Sequence, residues 1–291
     1  MMAFIPAWLV SLIKDNNVLI GGGFFFLLLL AAIFAPELAP HDPNEQDLFN
    51  VLIPPMWAEG GMAEFPLGTD SLGQCVLSRM IYGAQVVVII ALTAPIGAAI
   101  VGSILALIGG YFGGRIDWVI NRIVETWLSF PAVVMALILM IALSPGLHNV
   151  ILAIVLVDWA RFCKVLRADV MVLRRRDYVA AAQITGARPL GIILRDILPG
   201  IVPSMISLMA LEISIAVVAE STLSFVGMSV EPDVASWGGM IADGLNSMYS
   251  SPYPLLIPMV AMILTVLATT FLGQGVRQVV DTHLSERTQG A

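Results

Sequence analysis

The chain has 291 residues, of which 58% are hydrophobic and 12% charged, with a mean hydropathy of +0.92. About a quarter of residues are charged in soluble proteins, so an ordinary soluble domain is excluded. The net charge of −7 gives no support to nucleic-acid binding.

A membrane-spanning helix needs about 20 mostly apolar residues, and six segments answer to that, defining an all-α integral membrane protein. The first, residues 18–34 (VLIGGGFFFLLLLAAIF), follows Lys14 and Asp15 and a short amino-terminal segment, 1–17. A cleaved signal peptide is the competing reading; the prolines of the following APELAPHDP fit a cleavage site poorly, and five more spans follow.

The connection 35–84 is turn-rich and acidic, then reaches FPLGTDSLGQCVLSRMIYGAQ. There Thr69 or Asp70 is expected to cap a short amphipathic helix, lying flat on the membrane surface, with Leu72, Val76, Leu77 and Met80 on one side. The second span, 85–112, contains PIGAAIVGSILALIGG, whose small residues predict close helix packing. After GGRID comes the third span, 118–143, in which Glu125 is expected to pair with Arg122. The fourth, 147–166, has Asp158, Arg161 and Lys164 in its second half. Its end is expected to leave the bilayer with the basic side chains snorkelling, and Asp158 and Arg161 are spaced to pair. The fifth, 201–226, carries Glu212 and Glu220, two turns apart. Two readings stand for these acids: lining of a translocation path, or hydrogen bonding to neighbouring helices. In the connection 227–254, Trp237, Tyr249 and Tyr253 suit the membrane interface. The sixth span, 255–275, completes a domain over 18–278, followed by a tail, 279–291.

With the amino terminus inside, thirteen of the fourteen Lys and Arg residues fall on the inner face and only Arg79 outside, as the positive-inside rule requires. Both termini are then cytoplasmic. Cys75 and Cys163 lie on opposite sides, too far apart for a disulfide, and the isolated His41, His148 and His283 show no metal-ligand spacing. No cofactor or metal is expected on this chain.

The one substantial inner loop, 167–199, contains RRRDYVAAAQITGARPLGIILRDILPG. Its arginines and aspartates exclude a bilayer hairpin, since each charge at a helix centre costs about 2.5 to 3.5 kcal/mol. A helix is expected over 172–184, with one flank bared by Ala180, Ala181 and Ala182. Gly186 ends it and Pro189 opens a second helix that Pro199 stops. Two readings stand for Arg174, Arg175 and Arg176: an anchor to anionic lipid, or salt bridges to a partner protein.

This loop resembles the cytoplasmic loop of permease subunits of ATP-binding cassette importers, which reads Glu-Ala-Ala, three residues, Gly, nine or more residues, then Ile-x-Leu-Pro or similar. Ala181, Ala182, Gly186, Ile197, Leu198 and Pro199 fit, while Ala180 stands where glutamate is usual. FPLGTDSLGQCVLSRMIYGAQ, STLSFVGMSVEPDVASWGGMI and FLGQGVRQVVD are similar, in the same order, to blocks of the dipeptide, oligopeptide and nickel permease group, and most closely to its C-type peptide permease. Gln74, Cys75 and Gln85 depart from the group's Arg, Asp and Arg.

The resemblance implies a six-helix type I importer permease with a coupling-helix loop, importing peptides or, alternatively, nickel, metal chelates or another small solute. It implies a second homologous permease, two cytoplasmic ATPase subunits using ATP and Mg, a solute-binding protein and surrounding lipid as partners. The coupling residues would be Asp177, Tyr178, Ala181, Ala182, Gly186, Ala187, Pro189 and Leu190. A P-loop needs G-x-x-x-x-G-K-[ST], and neither lysine, Lys14 or Lys164, lies in one. Energy must come from another subunit if transport is ATP-driven. A stand-alone channel or secondary transporter is the reading of a different class; it would need no docking loop.

Overall fold

The computed structural model describes residues 15–231 and 233–289. Residues 1–14, including Lys14, lie outside the described residues, as do the side chains of Asp281, His283 and Arg287. Among the described residues the elements are helices, in the order α1 (Asn16–Ile33), α2 (Val76–Phe112), α3 (Gly114–Leu128), α4 (Ala132–Leu143), α5 (Leu147–Leu173), α6 (Asp177–Ile184), α7 (Pro189–Ile192), α8 (Leu198–Phe225), α9 (Trp237–Ser247) and α10 (Tyr253–Gln289). A single helical turn, Ala35–Leu38, follows α1, and a π-helical turn, Ile193–Ile197, joins α7 to α8.

Asp15 starts α1 by accepting the N–H groups of Asn17 and Val18 at 2.9 and 3.1 Å, two of the donors that every helix leaves unpaired at its start. α1, α2, α10 and the continuous run from α7 through α8 are each long and apolar enough to cross a membrane. α3 and α4 pass the same measure only as a pair, bent by 92° at a short break. The expected third span, 118–143, is therefore not one straight helix. Pro131 lies at the break as the N-cap of α4, and the residue before a proline is pushed out of the helical region. The expected fourth span falls in α5, which does not meet that measure; its 27 residues reach about 40 Å at 1.5 Å each, with Asp158 just before its midpoint and Arg161, Lys164, Arg167 and Asp169 in its second half.

The centre of the bundle is the seam between α2 and α5. A Cβ added at Gly97 would meet Val155 at 2.5 Å, at Gly102 the Phe162 Cβ at 2.5 Å, and at Gly110 a Val170 methyl at 2.6 Å. Ala98, Ala99 and Ala106 are buried on the same stretch with Trp159, Phe162, Cys163 and Leu166 opposite. The small residues thus bring two helices close along their lengths, which is how helices pack where lipid offers no hydrophobic drive. Leu19, Ile20, Phe26 and Leu27 of α1 are more than half exposed, as side chains facing lipid would be.

Three expectations at the helix ends are corrected. No separate helix lies near Leu72 to Met80: α2 begins at Val76 and runs unbroken to Phe112, because nothing between Met80 and Gln85 interrupts it. The helix expected from Val172 begins at Asp177, since Val172 belongs to α5 and Arg174 to Arg176 form a turn between them. Pro199 does not stop the second inner helix. It sits in the first turn of α8 directly after the π turn; the widened turn accommodates a residue that lacks an N–H and would crowd an α-helical carbonyl.

Candidate functional site

At one end of the bundle the α6–α7 loop stands clear of the helices. α6 ends in a Schellman motif: the Ala187 N–H reaches the Ala182 carbonyl at 3.0 Å and the Gly186 N–H the Gln183 carbonyl at 3.1 Å. Gly186 takes φ +81°, and a Cβ built there would meet nothing within 4 Å. The glycine is needed for its backbone conformation, and the space in front of it is open.

Val179, fully buried, fixes α6 against Ile192, Ile193 and Ile197, with Ala182 packed beside them. The other face is bare. Tyr178, Ile184 and Leu190 are 48%, 87% and 66% exposed, and Asp177, Ala181, Ala187 and Pro189 are exposed with them. The loop is thus held by one face and offers an apolar surface on the other. Arg174 turns back over the Tyr111 ring at 5.9 Å, tying the loop to the end of α2, while Arg175 and Arg176 are exposed. Next to it Arg167 grips Asp117 through two nitrogens, one of them at 2.6 Å.

The intramembrane acids separate into two environments. Glu220 is 1% exposed; one oxygen accepts the Ser224 hydroxyl at 2.6 Å and the Ser229 hydroxyl at 3.3 Å, the other the Ser221 hydroxyl at 3.3 Å. Ser224 also meets Ser236, the N-cap of α9, at 3.0 Å. Glu212, 2% exposed, instead takes the Arg161 guanidinium at 2.9 Å, and Arg161 also reaches Asp158 at 3.4 Å. The expected Asp158–Arg161 pair is present, but Arg161 does not snorkel away: it turns inward and links α5 to α8. For Glu212 this is the reading of a hydrogen bond to a neighbouring helix, though the sequence reading did not name Arg161 as the partner. Its signal was the presence of acids on both helices that each required a partner in the membrane. Glu125 pairs with Arg122 at 3.5 Å, with both side chains exposed.

The opposite end, about 50 Å away along α2 by helical rise, is closed on itself. The Thr69 hydroxyl donates to the Asn50 carbonyl at 2.6 Å, and Asp70 accepts the Leu72 and Gln74 N–H groups at 2.9 Å. Arg79 hydrogen-bonds Asp70 and lies 3.9 Å from Asp243 of α9. Trp237, expected to face a membrane interface, is turned into the protein instead. It is 3% exposed, donates its indole N–H to the Met80 carbonyl at 2.9 Å and fills the space left by Gly83, where a Cβ would meet its ring at 2.6 Å. Tyr249 is 95% exposed.

Residues 98–286 match the family of binding-protein-dependent transport system inner membrane components, and residues 7–55 match the N-terminal TM domain of oligopeptide transport permease C. The chain is 36% identical over 274 residues to the di/tripeptide transport system permease protein DppC of Pseudomonas aeruginosa, covering 94% of this chain and 90% of that one. It is 33% identical to the dipeptide transport system permease protein DppC of Haemophilus influenzae, covering 94% and 92%, and 32% identical to that of Bacillus subtilis, covering 93% and 83%. In fold it is similar to a chain of the MetNI methionine ABC transporter, with a TM-score of 0.54 and 16% identity over 69% of this chain and 96% of that one.

Proposed function

Because the chain belongs to the family of binding-protein-dependent transport system inner membrane components, we propose that it is the membrane-spanning permease subunit of an ATP-driven importer of di- or oligopeptides. Its peptide-permease relatives support the substrate class. It pairs with a second homologous permease, receives peptide from a solute-binding protein and couples to two ATPase subunits, which use the ATP and Mg. The chain crosses the membrane six times, with both termini cytoplasmic; the weight of basic residues on one face supports that orientation.

The observation that carries the coupling role is the outward apolar face of a loop whose other face is packed: Tyr178, Ile184 and Leu190 are exposed while Val179 is buried. An apolar surface of that kind, beside an open glycine turn, fits a groove on a partner. Asp177, Ala181, Ala182, Ala187 and Pro189 shape the inserted segment, and closure of the ATPases moves it as a rigid lever on α5 and α8. Glu220, held by hydroxyls, acts as an anchor in the wall of the path, while Glu212 works through Arg161.

The test is reconstitution of the purified chain into vesicles, with and without ATPase subunits, second permease and binding protein. Dipeptide uptake that needs ATP and all partners is expected. Uptake by this chain alone, driven by an ion gradient, would establish a secondary transporter instead.

A further inference from the structure

Between α4, α5, α8 and α10 lies a cavity of about 340 Å³, within the range of small-molecule sites. Ala136, Ile154, Val157, Val218 and Leu223 make its wall almost wholly apolar. Two of its three polar lining residues are already committed: the Ser214 hydroxyl meets Thr269 at 3.0 Å and the Thr222 hydroxyl donates to the Val218 carbonyl at 2.7 Å. The third is Asp158 of α5, which is 5% exposed.

Asp158 and Glu212 share the single guanidinium of Arg161, and Glu212 Oε1 has no hydrogen-bond partner. Two buried carboxylates against one cation carry an excess negative charge when both are ionised, which either a proton on one of them or a further positive group relieves. A lipid tail would fill the cavity without balancing that charge. Beside Asp158 a bare metal ion would find only two hydroxyls on so apolar a wall, too few oxygens for a hard cation.

We infer that this cavity receives a primary ammonium carried on an apolar body, the amino-terminal residue of a peptide, with Asp158 as the ion-pair partner. Arg161 and Glu212 hold the Asp158 carboxylate in place. The inference rests on the peptide-import reading and adds a recognition site within the path: the cavity takes the first side chain and its amine, and its open side leaves room for the rest of the peptide.

The test uses the assembled importer in vesicles, with the binding protein withheld so that its own selectivity does not enter. Val133→Cys places a reporter thiol on the cavity wall; Val133 is 48% exposed and the native Cys75 and Cys163 are buried, so a maleimide reports the cavity. Leu-Leu should slow labelling, and N-acetyl-Leu-Leu, which lacks the ammonium, should do so about tenfold less well, as loss of one charge-assisted contact predicts. Asp158→Asn should erase the difference between the two peptides. Val218→Trp fills the cavity without touching the charges and should remove protection by both, which keeps the test open if Asp158→Asn does not assemble. Equal protection by the two peptides, or a difference that survives Asp158→Asn, overturns the inference and assigns the charge balance to a protonated carboxylate. ATP-dependent Leu-Leu uptake, measured separately with the binding protein restored, reports on peptide import itself. Uptake without amine-dependent protection sinks the cavity assignment alone, whereas no uptake by the wild-type importer sinks the reading on which it rests.

Discussion

The two ends of the bundle carry sequence blocks of equal distinctiveness and use them in opposite ways. At the end near α9, the FPLGTDSLGQCVLSRMIYGAQ block is spent on its own fold: Thr69, Asp70 and Arg79 find their partners within the chain, and Trp237 closes over Gly83. At the other end, the DYVAAAQITGARPL block buries only Val179 deeply and leaves Tyr178, Ile184 and Leu190 uncovered. A distinctive motif therefore does not say whether it serves the fold or a partner. The fate of its apolar and polar groups does.

Substitutions should break the two ends in different ways. The largest functional effect is expected at the open loop. Gly186→Val forces a β-branched residue into φ +81°, where the left-handed conformation costs an ordinary residue about 1–2 kcal/mol. That is too little to unfold the chain but enough to redirect α7. ATP-dependent uptake should fall at least about tenfold, the factor that 1.4 kcal/mol represents, with membrane insertion intact. Gly186→Asp instead places a charge in the open space before the loop and should likewise abolish transport and transport-linked ATP hydrolysis. Full activity in both would remove the lever role.

At the closed end the effect should be on stability. Trp237→Ala deletes a buried ring and its hydrogen bond to Met80, and is expected to cost about 3–5 kcal/mol, read as a lower unfolding temperature of the detergent-solubilised complex. Asp70→Asn keeps the shape but weakens the Arg79 contact, at about 1.5–3 kcal/mol for a hydrogen bond to a charged group. Surviving folded molecules should still couple to ATP in both variants. Coupling lost in proportion to neither stability nor assembly would mean that the closed end also takes part in the lever.

How far the sequence foretold these differences depended on the range of the interaction. The Asp158–Arg161 pair and the Gly186 turn are set by neighbours a few residues apart and were legible. The small-residue stripe of α2 was legible too, though not that α5 is what it packs against. Trp237 was misread because amphipathic side chains suit a membrane interface in general, whereas its place is decided by Gly83, far away in the chain. Arg161 was misread for the same reason: its second partner, Glu212, is 51 residues on. Pro199 carried a local stop signal that the preceding π turn overrides. The 92° bend between α3 and α4 had a local cue in Pro131 that the sequence reading passed over.

The smallest effect sharpens the comparison through pH. Burial pushes the Asp243 carboxyl above the ordinary range; Arg79 opposes that shift and Asp70 adds to it. A carboxyl whose folded value is raised holds its proton more tightly in the folded state, so between its unfolded and folded values folding takes up a proton. Stability from this group is therefore full below the unfolded value and declines as pH rises through the folded one. Because the side chain is 58% exposed, solvent screens the contribution and the slope should be slight. Asp243→Asn should remove it, leaving the unfolding temperature flatter in the pH range just above the ordinary aspartate value. The slope should persist unchanged in Gly186→Val. A pH slope altered by Gly186→Val would mean that the two ends, closed and open, communicate through α2 even without ATPase or peptide.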